Sequence, residues 1–250
     1  MPLPSRTVSH FANSVNPIGG PGNVVETNMF GDLPMPDPTR FHTYFEDFDY
    51  YTAADWTVTT TAGITATQAL TSADGGVLLL QFTTTNDDSI IALQKVGSDF
   101  LMESGKSTFF RARLATNSVS ADWVIGLQLT DTTPQGVSDG MYFLKSSGVS
   151  TVDFIVRRNA TTGTVSAAAF TTISADSYIT LSFYYDGAST VWYGAYDQVV
   201  GSLNVDTALP DTLLTPSFAI ISGGSATVSA PSLSVDFIFA AKERSGVSER

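Results

Sequence analysis

The chain of 250 residues contains no cysteine. It therefore has no disulfide framework and no thiolate metal site. A chain of this length buries enough apolar surface to do without such bridges. Histidine is nearly absent, with His10 and His42 the only two. A Ser-His-Asp triad needs a histidine base, and no Gly-x-Ser-x-Gly elbow accompanies either one. Nor do two histidines at this separation have metal-ligand spacing, so His42 reads as a surface or interface residue. Positive charge is scarce. Lys and Arg total 12 against 24 Asp and Glu, a net charge of −12 in a chain only 14% charged. A nucleic-acid binder needs a basic face to meet phosphates, and an anionic membrane surface makes the same demand. No apolar run approaches the ~20 residues of a membrane helix. Met1 to His10 lacks a basic stretch followed by an apolar core, so no signal peptide is expected and synthesis in a cytoplasm as a soluble product is. Gly19-Gly20-Pro21-Gly22 is not followed by the Gly-Lys-Ser/Thr of a phosphate loop. There is no repeat of fixed period, which excludes a propeller or solenoid.

What the chain does have is strands. In Tyr178 to Leu203, the residues Ile179, Leu181, Phe183 and Tyr185 fall on one side of an extended backbone. Tyr178, Thr180, Ser182 and Tyr184 fall on the other, a period of two. Asp186-Gly187 breaks the run, because glycine accepts positive φ and aspartate bonds its own backbone in a turn. Val191, Trp192, Tyr193 and Tyr196 resume it, giving a long hairpin. Thr108 to Ala115 alternates Phe109, Arg111 and Arg113 against Phe110, Ala112 and Leu114. Further strands are read at 56–61, 64–70, 77–83, 89–96, 123–130, 140–146, 152–158, 163–173, 218–222 and 233–241. Short strands with turn signals every ~8–12 residues, rich in threonine, valine and tyrosine, predict an all-β antiparallel sandwich over residues 41–241.

Residues 1–40 differ. Pro2, Pro4, Pro17, Pro21, Pro34, Pro36 and Pro38 exclude a helix or a central strand there. Phe11, Val15, Ile18, Val24, Val25, Met29, Phe30, Leu33 and Met35 are apolar contacts for an extended N-terminal arm. Such an arm packs on its own domain or on another subunit. Fully extended, it reaches on the order of 130 Å. Residues 242–250 form a charged tail expected to fray.

The Tyr185-Asp186-Gly187 turn with the following Val191 to Val200 resembles the closing strands of concanavalin A-like (laminin-G-like) jelly rolls. Phe109 to Leu114, Ile125 to Asp131 and Asp139-Gly140-Met141-Tyr142-Phe143 resemble the middle of the same fold and are similar to phage virion proteins of this class. The proline-rich arm ahead of a jelly roll resembles the capsid cement (decoration) proteins of tailed phages. That resemblance implies a structural protein on the outer capsid surface of a virion. Its partners would be the major capsid protein and further copies of itself, as a homotrimer at local three-fold positions. The alternative is a carbohydrate-binding, lectin-like domain or a receptor-binding fibre domain.

Laminarinase-type hydrolases of this fold are similar to one another in a Glu-x-Asp-x-x-Glu run, which sets two carboxylates about 5–5.5 Å apart for a retaining mechanism. No such run exists here. Glu46-Asp47-Phe48-Asp49 is the nearest, and it reads as a solvated first strand. No enzymatic activity and no cofactor are expected. Asp87, Asp88, Asp131 and Asp139 are loop carboxylates able to supply oxygens to calcium, a role weighed against the ordinary place of aspartate in turns. Trp123 and Trp192 sit inside apolar runs and read as core or subunit interface, against a sugar-stacking role for these and Trp56.

Overall fold

Strands whose side chains alternate between faces bury one face each, and two sheets close over the result. The computed structural model describes residues 41–71, 75–83, 88–160, 163–223 and 230–244. The first sheet contains β1 (Phe41–Glu46), β3 (Ala66–Thr71), β4 (Val77–Phe82), β7 (Thr108–Thr116), β12 (Ile179–Tyr185), β13 (Thr190–Ala195), β14 (Gln198–Asn204) and β16 (Ser232–Glu243). Its order is β14-β13-β12-β7-β16-β4-β3, and β1 lies beside the C-terminal half of β16. The second contains β2 (Trp56–Thr60), β5 (Ile90–Lys95), β6 (Phe100–Leu101), β8 (Asp122–Gln128), β9 (Gly140–Lys145), β10 (Thr151–Arg158), β11 (Gly163–Thr172) and β15 (Leu213–Ile221). Its order is β11-β10-β9-β8-β15-β5-β2, with β6 paired to the start of β15. Every pairing is antiparallel, so the expected all-β antiparallel sandwich is what forms.

The inward faces meet in one apolar core. Phe110 stacks on Phe183 with ring centroids 5.2 Å apart, and Phe183 lies 5.4 Å from Phe154 across the sheets. Trp56 and Phe48 close one end against Phe218. The alternation read from the sequence holds in β7 and β12, where Phe110, Ala112, Leu114, Ile179, Leu181, Phe183 and Tyr185 are buried in that core. Burial of each large side chain contributes ~1.5–3 kcal/mol against conformational entropy of similar total size.

The Asp186-Gly187 turn forms as expected. The Asp186 carboxylate accepts the amides of Ala188 at 2.7 Å and Thr190 at 3.1 Å, and Gly187 has φ +80°. A side chain at Gly187 would meet the Lys106 amide, because the Gly105 amide donates to the Gly187 carbonyl across this turn. The long hairpin proves to be three strands, since Tyr196 and Asp197 turn the chain back into β14. β15 begins at Leu213, five residues before the expected Phe218, with Thr215 and Pro216 already in register with β8. At the other end β16 continues through Lys242 and Glu243, which the sequence assigned to a frayed tail; Lys242 is buried and paired with Glu103. The arm, residues 1–40 with all its expected contact residues from Phe11 to Met35, lies outside the described residues, as do Asp87 and the end of the tail.

Candidate ligand face

The two sheets treat their outer faces differently. In β7 the pleat turns Phe109, Arg111 and Arg113 outward, and in β12 it turns out Thr180, Ser182 and Tyr184, with Tyr178 just ahead of the strand packed against Arg113. The register then sets rows across the first sheet. Ser202, Trp192, Tyr184, Phe109, Ala241 and Thr43 share one row, Ser182, Arg111, Phe239 and Phe45 the next, and Thr180, Arg113 and Phe237 a third. A β-bulge between Val235 and Phe237 breaks the alternation of β16, which lets Asp236 join Phe237 on this side.

Aromatic rings and paired charges occupy this face together. Tyr184 and Trp192 stack at 5.9 Å, and Phe239 lies between Phe109 at 6.0 Å and Phe45 at 6.3 Å. Phe45 is 61% exposed, and Tyr178, Tyr184, Trp192, Phe237 and Phe239 are half-buried. Arg111 pairs with Asp197 and lies 5.8 Å from the Phe237 ring. Arg113 pairs with Asp236 and lies 4.3 Å over the Tyr178 ring. Burial lowers the Arg111 pKa and Asp197 opposes that shift. Burial likewise raises the phenols of Tyr178 and Tyr184, so both stay neutral hydrogen-bonding groups at physiological pH. Lys106 and Glu243 form a further pair at 3.4 Å beside Tyr184.

The central strands of the second sheet are covered on their outer side by the protein's own chain. Ala92, Val124, Tyr142, Ala219 and Ile221 form a separate buried cluster with Val137. Val137 belongs to the 129–139 loop, and several bonds hold that loop down. Gln128 Nε2 donates to the Pro134 carbonyl at 2.8 Å and the Tyr142 hydroxyl to the Gln135 carbonyl at 3.3 Å. Gln135 Nε2 donates to Asp122 Oδ2 at 2.6 Å, and Gln94 bonds both Leu129 and Asp131.

The carboxylates weighed for calcium, Asp88, Asp131 and Asp139, do not converge, and Asp87 lies outside the described residues. Asp131 caps its own turn, accepting the Thr133 amide at 2.7 Å and hydroxyl at 2.8 Å. Asp139 is buried and accepts the Ser138 hydroxyl at 2.8 Å and the Asn159 amide at 3.2 Å. Asp88 is exposed, and its amide donates to the Ser222 carbonyl. No group of three His, Cys, Asp or Glu side chains among the described residues is placed to hold a metal. Glu46 ends β1 and accepts the Phe48 amide at 3.1 Å; Phe48 has φ +55°, so Asp47 and Asp49 do not share a strand face. Trp123 is core, whereas Trp192 stands on the outer face of the first sheet and not in the core. Phe237, Phe239, Asp236 and Asp197 were not singled out by the sequence reading. The alternation of Arg111 and Arg113 against Phe110, Ala112 and Leu114 is the signal that could have found their face.

No family model and no curated protein matches this chain. Solved structures do. An endo-1,3-β-glucanase from Streptomyces sioyaensis superposes with TM-score 0.57 at 14% identity, covering 84% of this chain and 99% of that one. Bacillus licheniformis β-glucanase gives TM-score 0.57 at 14% identity, over 79% of this chain and 97% of its own. The carbohydrate recognition domain of Emp46p gives 0.50 at 8% identity, over 78% and 93%. The fold is a concanavalin A-like jelly roll. That confirms the concanavalin A-like part of the sequence resemblance and leaves its phage part without support. It also corrects the expectation that the protein is not an enzyme. Glucanases share this fold, so the missing Glu-x-Asp-x-x-Glu run removes one mechanism and does not exclude enzymes as a class.

Proposed function

We propose that the protein binds carbohydrate, with the outer face of the first sheet as its ligand face. One observation carries this reading: half-exposed aromatic rings share that face with guanidinium and carboxylate groups already fixed in position. A pyranose needs both. Its C–H face packs on an aromatic ring, and its hydroxyls need donors and acceptors that are held in place. The glucanases and the Emp46p domain of the same fold, proteins named for acting on or recognising carbohydrate, support the reading as analogy.

The test is a glycan array and affinity electrophoresis in polysaccharide gels with the full chain, run beside Trp192→Ala. Binding weakened by the substitution supports the reading. No binding to any polysaccharide, or binding indifferent to Trp192, refutes it. Reducing ends released in the same incubations report whether the ligand is also cleaved.

The second reading is a capsid cement protein, a homotrimer on the outer capsid surface that binds the major capsid protein. It is favoured by the proline-rich 1–40 segment alone. A chain lacking residues 1–40 that still binds capsids at full strength would refute it.

A further inference from the structure

We infer that the ligand of this face is an uncharged polysaccharide, and that Asp197 and Asp236 set that selectivity by occupying the guanidiniums of Arg111 and Arg113. The inference rests on the carbohydrate reading above. Arg111 and Arg113 are successive outward residues of β7, roughly 6.6 Å apart along the strand. A uronate or sulfate ligand loses hydration when it binds and needs a cation to replace it; the arginine fork is the side chain suited to that exchange. Here each arginine already carries a carboxylate, and the two carboxylates come from unrelated elements. Asp197 is aimed by the β13–β14 turn, where Tyr196 and Asp197 take φ of +51° and +63°. Asp236 is aimed by the bulge in β16. Both guanidiniums also lie over aromatic rings, Phe237 and Tyr178.

The named charges of the face therefore cancel, with Lys106 and Glu243 doing the same at its margin. The chain around them carries a net −12, a field that repels polyanions before contact. Sugar hydroxyls meet no such barrier. An arginine–aspartate pair still presents a polar surface of guanidinium and carboxylate groups to them, and no net charge has to be compensated.

Affinity electrophoresis of the full chain separates the outcomes, using laminarin and galactomannan as uncharged probes and alginate and polygalacturonate as anionic ones. The native protein is expected to be retarded by an uncharged probe and not by the anionic ones. Asp197→Asn keeps the side-chain shape at a position 51% exposed, so it tests charge and not folding. It is expected to gain about tenfold or more in polyuronate binding, with that gain lost in high salt. Arg111→Gln combined with Asp197→Asn is expected to abolish the gain. Polyuronate binding by the native protein equal to its binding of the uncharged probes overturns the selectivity and leaves the carbohydrate reading standing, as does an Asp197→Asn chain that gains nothing. Binding of neither class overturns both.

Discussion

Lys145 offers a test of the fold that needs no ligand. Its side chain is fully buried on β9, where Nζ donates to the Ala121 carbonyl at 2.5 Å and to the Val119 carbonyl. Burial lowers its pKa from 10.5 to about 8, partly opposed by Asp122. Between those two values the unfolded chain holds a proton that the folded chain has released. Unfolding therefore takes up a proton, and stability from this group rises with pH from about 8 to about 10.5. At about 1.4 kcal/mol per unit, the gain over that window approaches ~3 kcal/mol. Urea unfolding followed by tryptophan fluorescence measures it at pH 7, 8, 9 and 10, for the native protein and for Lys145→Met. The variant leaves two carbonyls without their donor and is expected to differ in absolute stability, so the informative quantity is how the gap between the proteins changes with pH. Buried tyrosines, Tyr142 and Tyr185 among them, have raised pKa values and act in the opposite direction above pH ~10. They are common to both proteins and cancel in the difference. The native protein should gain on the variant by ~2–3 kcal/mol between pH 7 and 10. A gap that stays flat, or closes, would show that the ammonium is not held in the desolvated position argued for it.

Other perturbations reach other parts of the structure. Phe183→Ala removes the ring that links Phe110 in one sheet to Phe154 in the other, and should cost ~3–5 kcal/mol in the same urea assay. Gly187→Ala forces a side chain into a left-handed conformation against the Lys106 amide. A loss of ~1–3 kcal/mol is expected, and calorimetry should show a lowered Tm. Trp192→Ala should reduce polysaccharide affinity about tenfold, read by gel retardation, while the midpoint of urea unfolding shifts by less than that of Phe183→Ala.

What the sequence disclosed follows from the physics of a sheet with one buried face. Ile179, Leu181, Phe183 and Tyr185 against Tyr178, Thr180, Ser182 and Tyr184 could be assigned to faces because a one-residue slip would bury a hydroxyl row. The same logic separates Phe109, Arg111 and Arg113 from Phe110, Ala112 and Leu114, and the structure shows the arginine side to be the outer one. It failed where alternation itself fails. At the β16 bulge Asp236 and Phe237 point the same way, which a strict period of two forbids. Trp192 lay inside an apolar run and was read as core or interface, because a strand with large side chains on both faces carries no contrast to read. β6 is too short for any pattern, and the arm's contacts fall outside the described residues.

The deeper miss concerned function. The absence of one carboxylate run does not amount to the absence of catalysis, because a motif excludes only the mechanism it serves. The structure shifts the question from motif to surface. The 129–139 loop, pinned by Gln128, Tyr142 and Gln94, packs Val137 onto the central strands of the second sheet's outer face. The Gln94 bond lies beyond the reach of local sequence, since Gln94 is 35 residues from Leu129. With the middle of that face covered by the protein's own chain, the aromatic and charge-paired face of the first sheet is the candidate ligand surface. The four groups that neutralise one another there, Arg111 with Asp197 and Arg113 with Asp236, then determine which partners that surface admits.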